Sequence, residues 1–428
     1  MIRQLEVKGL RALRYVSVDL EPFLVMVGPN ACGKSTLFDA LLLVRDVLTS
    51  GIDAALFGNT RMSIAPRAVD PNDLTWLRQG GGLEIAITLE LPKELVKKTQ
   101  GERYRFVRYE LGIHTEGRLG FDHETLWLCD DIAPASHAQS LQKTLFPSPM
   151  SAPEHVVQSS RRTPAGWRKV VSKVVESGND YFRSETSDWN NLFRLGPAKS
   201  ALANLPEDEQ KFPVATWAKR VLMEGLHRLM LNADKMRMPS PAGSPADFLP
   251  DGSNLPWVVH ALDTQPDGLR AKRNWINHLA TTLDDLEDVE SCEKPEDRSR
   301  YIQLKYRSGL VAPSWLLSDG TLRMLALTLL AYAPNPPKVV LIEEPENGIH
   351  PKAIETVMQS LSSVYDAQVL CATHSPVALS GLKAHQVLCF GKDDEGAVDI
   401  VRGSEHPRLR EWKSALNLGE LFAIGVLG

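Results

Sequence analysis

The sequence has no excess of basic residues, no paired-cysteine motif and no long apolar run. Its 48 Lys and Arg residues are outnumbered by 53 Asp and Glu residues, which gives a net charge of −5 at pH 7. This balance excludes a generally basic nucleic-acid-binding coat, although a local basic groove remains open. None of the five cysteines belongs to a C-x-x-C pair, so neither a zinc site nor a disulfide framework is indicated, and we expect a reducing cytoplasm.

Membrane-directing and repetitive segments are also missing from the sequence. No apolar run reaches the roughly 18 residues that a membrane-spanning helix needs. The chain opens on a strand-like stretch and not on a signal-peptide pattern, so we expect a cytoplasmic protein without membrane contact. No heptad pattern persists over several turns, which argues against a long coiled-coil arm.

The apolar pattern predicts an α/β fold with a mainly parallel sheet, an antiparallel β subdomain and a mainly helical insertion. Short apolar runs at 23–27 and, after Lys338, at 339–342 are typical of strands buried on both faces, and helical patterns follow them. Alternating patterns between 83 and 128 indicate the antiparallel part. We expect an N-terminal lobe at 1–130, an insertion at 131–300 for dimerisation or for partner or DNA contact, and a C-terminal lobe at 301–428.

Residues 28–35 read GPNACGKS and fit the phosphate-loop (P-loop) pattern G-x-x-x-x-G-K-[ST]. Glycines let successive backbone N–H groups face phosphate oxygens, and the helix that follows adds the positive end of its dipole. Lys34 would reach the β- and γ-phosphates, and Ser35 would offer its hydroxyl to Mg²⁺. We therefore predict that ATP and Mg²⁺ are bound, with nucleotide contacts from Gly28, Asn30, Ala31, Cys32, Gly33, Lys34, Ser35 and Thr36.

Residues 338–345 read KVVLIEEP, an apolar strand that ends in two carboxylates, as a Walker B segment does. Glu343 is expected near Mg²⁺, through water, and Glu344 is expected to orient and polarise the attacking water. The alternative is a surface pair of glutamates that merely ends a strand.

Two further segments carry candidate phosphate contacts. Residues 317–321 (LSDGT) open a helix, where Ser318 can donate a hydrogen bond and the helix N-terminus favours anions, although a plain helix cap explains the same residues. His374 in 373–376 (THSP) follows a buried strand, and a neutral imidazole can donate to a phosphate or accept from water. A lone histidine is more often structural.

The order of these segments resembles that of ABC-type ATPases of the RecF/SMC class. The closest likeness is to the stand-alone OLD-like ATPases of bacterial antiphage defence systems. It is carried by LIEEPENGIHP at 341–351, ATHSP at 372–376 and DGSNL at 251–255, and it covers about 1–90 and 300–428. The tail at 406–428 also looks like the end of stand-alone members.

The resemblance implies roles for individual residues and a shared site. The segment 317–321 is similar to the LSGGQ signature, with departures at Asp319 and Thr321, so that Ser318 and Gly320 would contact the γ-phosphate bound to another protomer. His374 would be the switch histidine, and 346–351 would be the D-loop that touches the partner. A homodimer or higher oligomer, closed by ATP and released by hydrolysis, is therefore implied.

Two departures leave positions open. Glu343 stands where many relatives have Asp. The Q-loop residue that would approach Mg²⁺ is assigned to Gln79, although 77–80 (LRQG) also reads as a simple turn before a strand.

The effector is assigned by family analogy. OLD proteins carry a TOPRIM nuclease after the ATPase, whereas the roughly 50 residues after His374 hold no D-x-D pair, and His123 with Glu124 reads as an isolated surface pair. We therefore predict an ATPase subunit that acts with a separate nuclease or toxic effector. The alternatives are a RecF/SMC-like repair ATPase that binds DNA directly, and a slowly hydrolysing scaffold or sensor.

DNA contact is considered at two basic stretches, against the alternative of solvated surface charge. The first contains Lys97, Lys98, Arg103, Arg105 and Arg108, and the second contains Arg161, Arg162, Arg168, Lys169 and Lys173.

Overall fold

The computed structural model describes residues 1–62, 64–117, 119–132, 152–158, 163–175, 177–406, 409 and 417–427. Its strands are β1 (Ile2–Leu10), β2 (Leu13–Asp19), β3 (Phe23–Val27), β4 (Leu83–Glu90), β5 (Phe106–His114), β6 (Gly120–Cys129), β7 (Arg168–Val174), β8 (Asn179–Arg183), β9 (Asn190–Phe193), β10 (Leu226–Leu229), β11 (Leu286–Glu293), β12 (Arg300–Tyr306), β13 (Val311–Pro313), β14 (Val339–Glu343), β15 (Gln368–Ala372), β16 (Val387–Lys392) and β17 (Val398–Arg402). Its α-helices are α1 (Lys34–Ser50), α2 (Ile52–Phe57), α3 (Lys93–Val96), α4 (Pro213–Glu224), α5 (Ala233–Arg237), α6 (Leu255–Thr264), α7 (Gly268–Leu279), α8 (Asp319–Leu329), α9 (Pro351–Ser362), α10 (Pro376–Leu379) and α11 (Leu418–Ala423).

These elements form two compact units that alternate along the chain. The first unit contains Met1–Glu21, Gly28–Leu226 and Cys389–Arg410, and the second contains Pro22–Val27, His227–Leu388 and Glu411–Gly428. Within the described residues, no helix is both long enough and apolar enough to cross a membrane.

The first unit is built on an eight-stranded sheet with the order β2-β1-β4-β5-β6-β7-β8-β9. Neighbouring strands run antiparallel; Val7, for example, pairs with Val16 on β2 and with Ile85 on β4. The alternation of apolar residues in β4 and β5 places their apolar side chains in the core. The predicted antiparallel subdomain is confirmed.

A buried charge cluster lies within this sheet. The guanidinium of Arg108 is only 1% exposed, and it donates to the carboxylates of Glu6 and Glu110. The same guanidinium donates to the carbonyl oxygen of Val156 at 3.1 Å, and Glu110 also accepts from the indole N–H of Trp127 at 2.8 Å. The charges are therefore neutralised inside the unit, and the segment 152–158 is fastened to the sheet by polar contacts.

Helix α1 follows the phosphate loop and is buried over most of its surface. Leu37, Leu41, Val44 and Leu48, which carry the helical spacing in the sequence, are all buried. Helix α4 packs against α1 in the same unit. The long apolar helix therefore fixes the position of the loop that precedes it.

A buried carboxylate caps α4. Glu185 accepts hydrogen bonds of 2.7 Å from the backbone N–H groups of Val214 and Ala215 in the first turn. Burial nevertheless raises the pKa of Glu185 to about 7, because desolvation penalises the charged carboxylate.

The segment 131–300 contains strands as well as helices, which corrects the expectation of a mainly helical insertion. Residues 168–193 form β7, β8 and β9 and extend the antiparallel sheet. Helix α4 ends at Glu224, and β10 follows Gly225. Helix α7 ends at Leu279, and β11 begins at Leu286.

The expectation of a surface pair at His123 and Glu124 was wrong. Glu124 is fully buried and accepts from the hydroxyls of Ser200 and Tyr109 at 2.5 and 3.0 Å. The backbone N–H of Ala201 donates to the same carboxylate at 2.6 Å. Glu124 therefore anchors the chain near 200 to β6.

The basic stretches are partly interior. Arg108, Arg168 and Lys173 are buried, and Lys173 pairs with Asp180 at 2.6 Å. Arg161 and Arg162 lie outside the described residues. Of the ten basic residues considered for DNA contact, Lys97, Lys98, Arg103 and Arg105 are exposed.

The second unit has a parallel sheet in which β14, β15 and β3 lie side by side. The register pairs Leu341 with Leu370 and Leu370 with Leu24, so the three parallel strands are aligned side by side. All the residues of β3 and β15 are buried, as their apolar composition predicts. The predicted parallel sheet is confirmed.

Helices cover this parallel sheet. Helix α8 packs against α7 and α9, and α6 and α7 pack on the small antiparallel sheet β11-β12-β13. The buried indole N–H of Trp275 donates to the hydroxyl of Thr328 at 2.9 Å, and the carbonyl of Thr328 accepts from Ser360 at the same distance. These polar contacts join α7, α8 and α9 in the core.

Replacing Arg108 with Leu should lower the free energy of unfolding by about 3–5 kcal/mol, since two buried carboxylates lose their counter-charge. Chemical denaturation followed by circular dichroism measures this change. Arg105→Leu, on an exposed neighbour, is the matched control and should change stability by less than about 0.5 kcal/mol. Equal effects of the two substitutions would contradict a structural role for the cluster.

Candidate functional site

The phosphate loop belongs to the first unit and has a backbone that demands glycine at two points. Gly28 has φ 146°, and a Cβ there would lie 2.4 Å from the carbonyl oxygen of Phe390. Gly33 has φ 94°, and a Cβ there would lie 2.7 Å from the side chain of Val398. Ala31, at the exposed crest, is also left-handed with φ 58°. The loop therefore combines left-handed backbone with close packing, which the glycines of the motif allow.

The first turn of α1 can receive an anion. Gly33 occupies the N-cap position, and no side chain caps the helix. N–H groups at such an uncapped N-terminus point toward whatever anion is bound there. Ser35 is exposed in this turn and Thr36 is half-buried.

Lys34 is held across the loop. Its ammonium donates to the carbonyl oxygens of Gly28 at 2.8 Å and Pro29 at 2.9 Å, and it lies 3.5 Å from the Sγ of Cys32. The side chain is buried, although lysines usually extend into solvent. A charged lysine folded over backbone carbonyls is placed to exchange those contacts for phosphate oxygens.

The Walker B carboxylates belong to the second unit and end β14. Glu343 pairs with Ala372 in the parallel register, and the backbone N–H of Glu344 donates to the carbonyl of Ala372 at 2.8 Å. Glu344 is exposed and left-handed, with φ 49°. Such a conformation is uncommon for a residue other than glycine and is typical of functional turns.

Glu343 has one oxygen paired and the other without a partner. Its Oε2 lies 2.8 Å from the guanidinium of Arg228 on β10. Its Oε1 is buried and has no hydrogen-bond partner among the described residues. Because an unpaired buried carboxylate oxygen is costly, this atom fits the coordination shell of a divalent cation or a water bound to one.

Thr373 and His374 are held in place by Glu346. The Oε1 of Glu346 accepts from the Thr373 hydroxyl at 2.6 Å and from the His374 N–H at 3.3 Å. The N–H of Thr373 donates to the carbonyl of Met26, the penultimate residue of β3, at 3.1 Å. The backbone of His374 is therefore tied to the carboxyl ends of its neighbouring strands.

The signature segment and the D-loop touch through two glycines. A Cβ on Gly320 would lie 2.4 Å from the carbonyl oxygen of Gly348, so only glycine permits this approach. Ser318 caps α8, because its Oγ accepts from the N–H of Thr321 at 3.2 Å. The plain helix-cap interpretation is thus correct, and the exposed Ser318 hydroxyl also lies 2.8 Å from the hydroxyl of Thr321, where either group can donate.

Residues 23–380 match the family model described as "AAA domain, putative AbiEii toxin, Type IV TA system". The chain belongs to this family. It is an AAA-domain protein. A search of curated proteins finds no match to this AAA-domain chain.

Solved structures with a similar fold include SMC head domains. One, bound to the C-winged helix domain of ScpA, is 13% identical with a TM-score of 0.51, and the alignment covers 94% of this chain and 97% of that one. A second, an Smc head with an extended coiled coil and the C-terminal domain of ScpA from Pyrococcus furiosus, is 13% identical with a TM-score of 0.48 and coverage of 94% and 95%. A third, from Thermotoga maritima, is 11% identical with a TM-score of 0.42 and coverage of 94% and 98%. At 13% identity, the first likeness concerns the fold alone.

The Q-loop assignment of Gln79 stays a prediction for this AAA-domain protein. Gln79 is exposed at the end of a short 3-10 helix, in the first unit. The three glycines that follow, at 80–82, all have positive φ and lead into β4. This geometry matches the alternative interpretation, in which residues 77–80 form a simple turn before a strand.

Sequence reasoning missed two arginines that contact residues of the candidate site. Arg228 pairs with Glu343, and Arg237 contacts Leu317 and Asp319 at the signature segment. Neither arginine has a fixed spacing from a known motif. The acidic residue in the signature segment was the one available signal, because a carboxylate beside a phosphate site calls for a counter-charge.

Replacing Lys34 with Ala should weaken ATP binding about 10- to 100-fold, because charge-assisted hydrogen bonds to phosphate are lost. Titration with a fluorescent ATP analogue measures the dissociation constant. Lys98→Ala, an exposed lysine of the same unit, is the matched control and should bind ATP normally. Unchanged affinity in Lys34→Ala would remove the phosphate-loop assignment.

Proposed function

We propose that this protein hydrolyses Mg²⁺-bound ATP at composite sites of a homodimer or higher oligomer, and that its nucleotide state gates a separate nuclease or toxic effector in antiphage defence. One observation supports the proposal most. In the second unit, Glu343, Ala372 and Met26 are neighbours at the carboxyl edge of the parallel strands. Candidate groups of the same unit follow two of these strands directly: Glu344 after β14, and Thr373 and His374 after β15. This edge is where ligands bind in open α/β sheets.

The proposed chemistry is attack of water on the γ-phosphorus. Glu344 orients the water and accepts its proton, while the bond between the γ-phosphorus and the leaving oxygen of ADP breaks. Lys34 and the N-terminus of α1 hold the phosphates, and the imidazole of His374 donates a hydrogen bond to the γ-phosphate. The exposure and turn geometry of Glu344 support its part in this scheme.

Mg²⁺ would be held beside the β- and γ-phosphates by Ser35 and, through water, by Glu343. When bound, it neutralises charge on the transferred phosphoryl group. The buried, unpartnered Oε1 of Glu343 supports this assignment. Gln79 is proposed as a further contact near the ion on sequence grounds.

We propose an oligomer because the family resemblance implies an ATP site that is shared between two protomers. Ser318 and Gly320, at the exposed start of α8, would complete the phosphate site of another protomer. The exposure of Ser318 and the uncapped N-terminus of α1 suit such a site. ATP would then act as the bridge, and hydrolysis would release it.

The defence role is supported by the description of the family. The family description names a putative toxin of a type IV toxin–antitoxin system, which pairs a toxin with an antitoxin. A gated effector system likewise pairs two gene products. We place the protein in the cytoplasm and propose that a separate protein supplies the damaging activity.

Replacing Glu344 with Gln should lower ATP turnover about 10²- to 10⁴-fold, since the general base is lost, while ATP binding persists. Phosphate release measures turnover, and light scattering after size exclusion, with ATP and Mg²⁺, measures assembly. The variant should stay assembled after the wild type has dissociated. Glu355→Gln, on the exposed face of α9, is the control and should behave as wild type. Turnover at the wild-type rate in Glu344→Gln would refute this assignment.

Direct DNA action is the second candidate function, in which the protein is a RecF/SMC-like repair ATPase. The SMC-head fold and the exposed charges of Lys97, Lys98, Arg103 and Arg105 favour it. Turnover stimulated by duplex DNA, and lost at high salt, distinguishes it from the effector-gating function. A slowly hydrolysing scaffold would instead show ATP-dependent assembly with little turnover in either condition.

A further inference from the structure

The signature segment carries a negative charge where it would meet a nucleotide. In the proposed function, residues 317–321 face the triphosphate bound to another protomer. Asp319 stands in this segment, and its side chain is 61% exposed. A bare carboxylate there would repel the γ-phosphate, and the α8 dipole alone supplies only about half a positive charge.

Arg237 supplies the missing positive charge. Its Nη2 donates to a carboxylate oxygen of Asp319, and its Nε and Nη2 donate to the carbonyl of Leu317 at 3.3 and 3.2 Å. Its Nη1 lies 3.1 Å from Asp234. Asp319 raises the pKa of the Arg237 guanidinium, in keeping with a close ion pair.

The position of Arg237 is fixed from its backbone. It ends the short helix α5, which packs against α8. Its carbonyl accepts a hydrogen bond of 2.9 Å from the hydroxyl of Ser314, in the turn that leads into the signature segment. One residue is thus joined to the segment through both its backbone and its side chain, on the two sides of Ser318.

We propose that Arg237 is a positioning residue that neutralises Asp319, so that the start of α8 can receive the γ-phosphate of a nucleotide held by a second copy of this chain. The proposal rests on the proposed function and explains the departure at Asp319. The pair offers the phosphate the Ser318 hydroxyl beside a carboxylate whose charge is compensated. Removal of the arginine leaves Asp234 and Asp319 without their shared counter-charge, so this surface becomes more negative.

The test is a double-mutant cycle on ATP-dependent association. Wild type, Arg237→Gln, Asp319→Asn and the double variant are sized by analytical ultracentrifugation with Mg²⁺ and a slowly hydrolysed ATP analogue. Arg237→Gln should weaken association roughly tenfold or more, and this deficit should shrink at high salt. Asp319→Asn, added to Arg237→Gln, should restore association, because the repelling charge is gone.

A purely structural arginine gives a different pattern. If Arg237 only braces the carbonyl of Leu317, Asp319→Asn does not rescue the arginine variant, and this result overturns the proposal. Arg270→Gln, which removes an exposed cation on α7 and so matches the change in charge, should associate as wild type does. ATP binding by the isolated protomers should be equal in all variants, since the signature segment serves another protomer.

The single variant Asp319→Asn keeps the test decisive if Arg237→Gln fails to fold. It removes one negative charge facing the phosphate and leaves Arg237 paired with Asp234, so association should become tighter than in the wild type. Unchanged or weaker association contradicts the proposal. If the wild type itself does not associate with the nucleotide, the composite-site function fails, whereas association without rescue refutes only the role of Arg237.

Discussion

The parallel pairing of β14, β15 and β3 is the constraint on which the rest of the candidate site depends. Parallel strands with aligned registers end at the same edge of the sheet. Residues at these strand ends therefore lie close together, although they are far apart in sequence. The interaction that holds this register is burial of Val, Leu and Ile side chains on both faces of the strands. The carboxylates and the histidine lie at or beyond the ends of strands that are mostly apolar and buried, so these polar groups do not have to be accommodated in the core.

Charge compensation is the second organising feature. Arg108 lies between two buried carboxylates in the first unit, whereas in the second unit Arg228 pairs with Glu343, and Arg237 pairs with Asp319 and Asp234. The first arginine is inaccessible and serves the fold. The other two are partly exposed and contact residues of the Walker B and signature segments. The same ion-pair chemistry therefore has different consequences according to whether solvent, and hence a ligand, reaches it.

Local patterns in the sequence predicted the elements that surround the motifs. The bounds of β3 and β15 are close to those expected from their apolar runs, and Leu37 and Leu41 lie buried in α1 as their spacing indicates. These successes share a cause, because burial on one or both faces leaves a periodic trace in a single segment.

Long-range contacts could not be predicted in this way. Strands β7 to β9 are polar in large part and owe their conformation to pairing with β6 and with one another, so their sequence carries little strand pattern. The burial of Glu124 depends on the chain near Ser200, which is distant in sequence. Arg228 and Arg237 were missed for the same reason, since the partner of an arginine is known only once the fold is known.

The close backbone contact between Gly320 and Gly348 couples the start of α8 to the D-loop within the second unit. Two backbones that meet without side chains have no rotamers with which to absorb a displacement. A movement of the D-loop, which begins two residues after Glu344, must therefore carry the first turn of α8 with it. The residue proposed to orient the attacking water and the surface proposed to face another subunit are thus coupled through one close backbone contact, which the missing side chain of Gly320 permits.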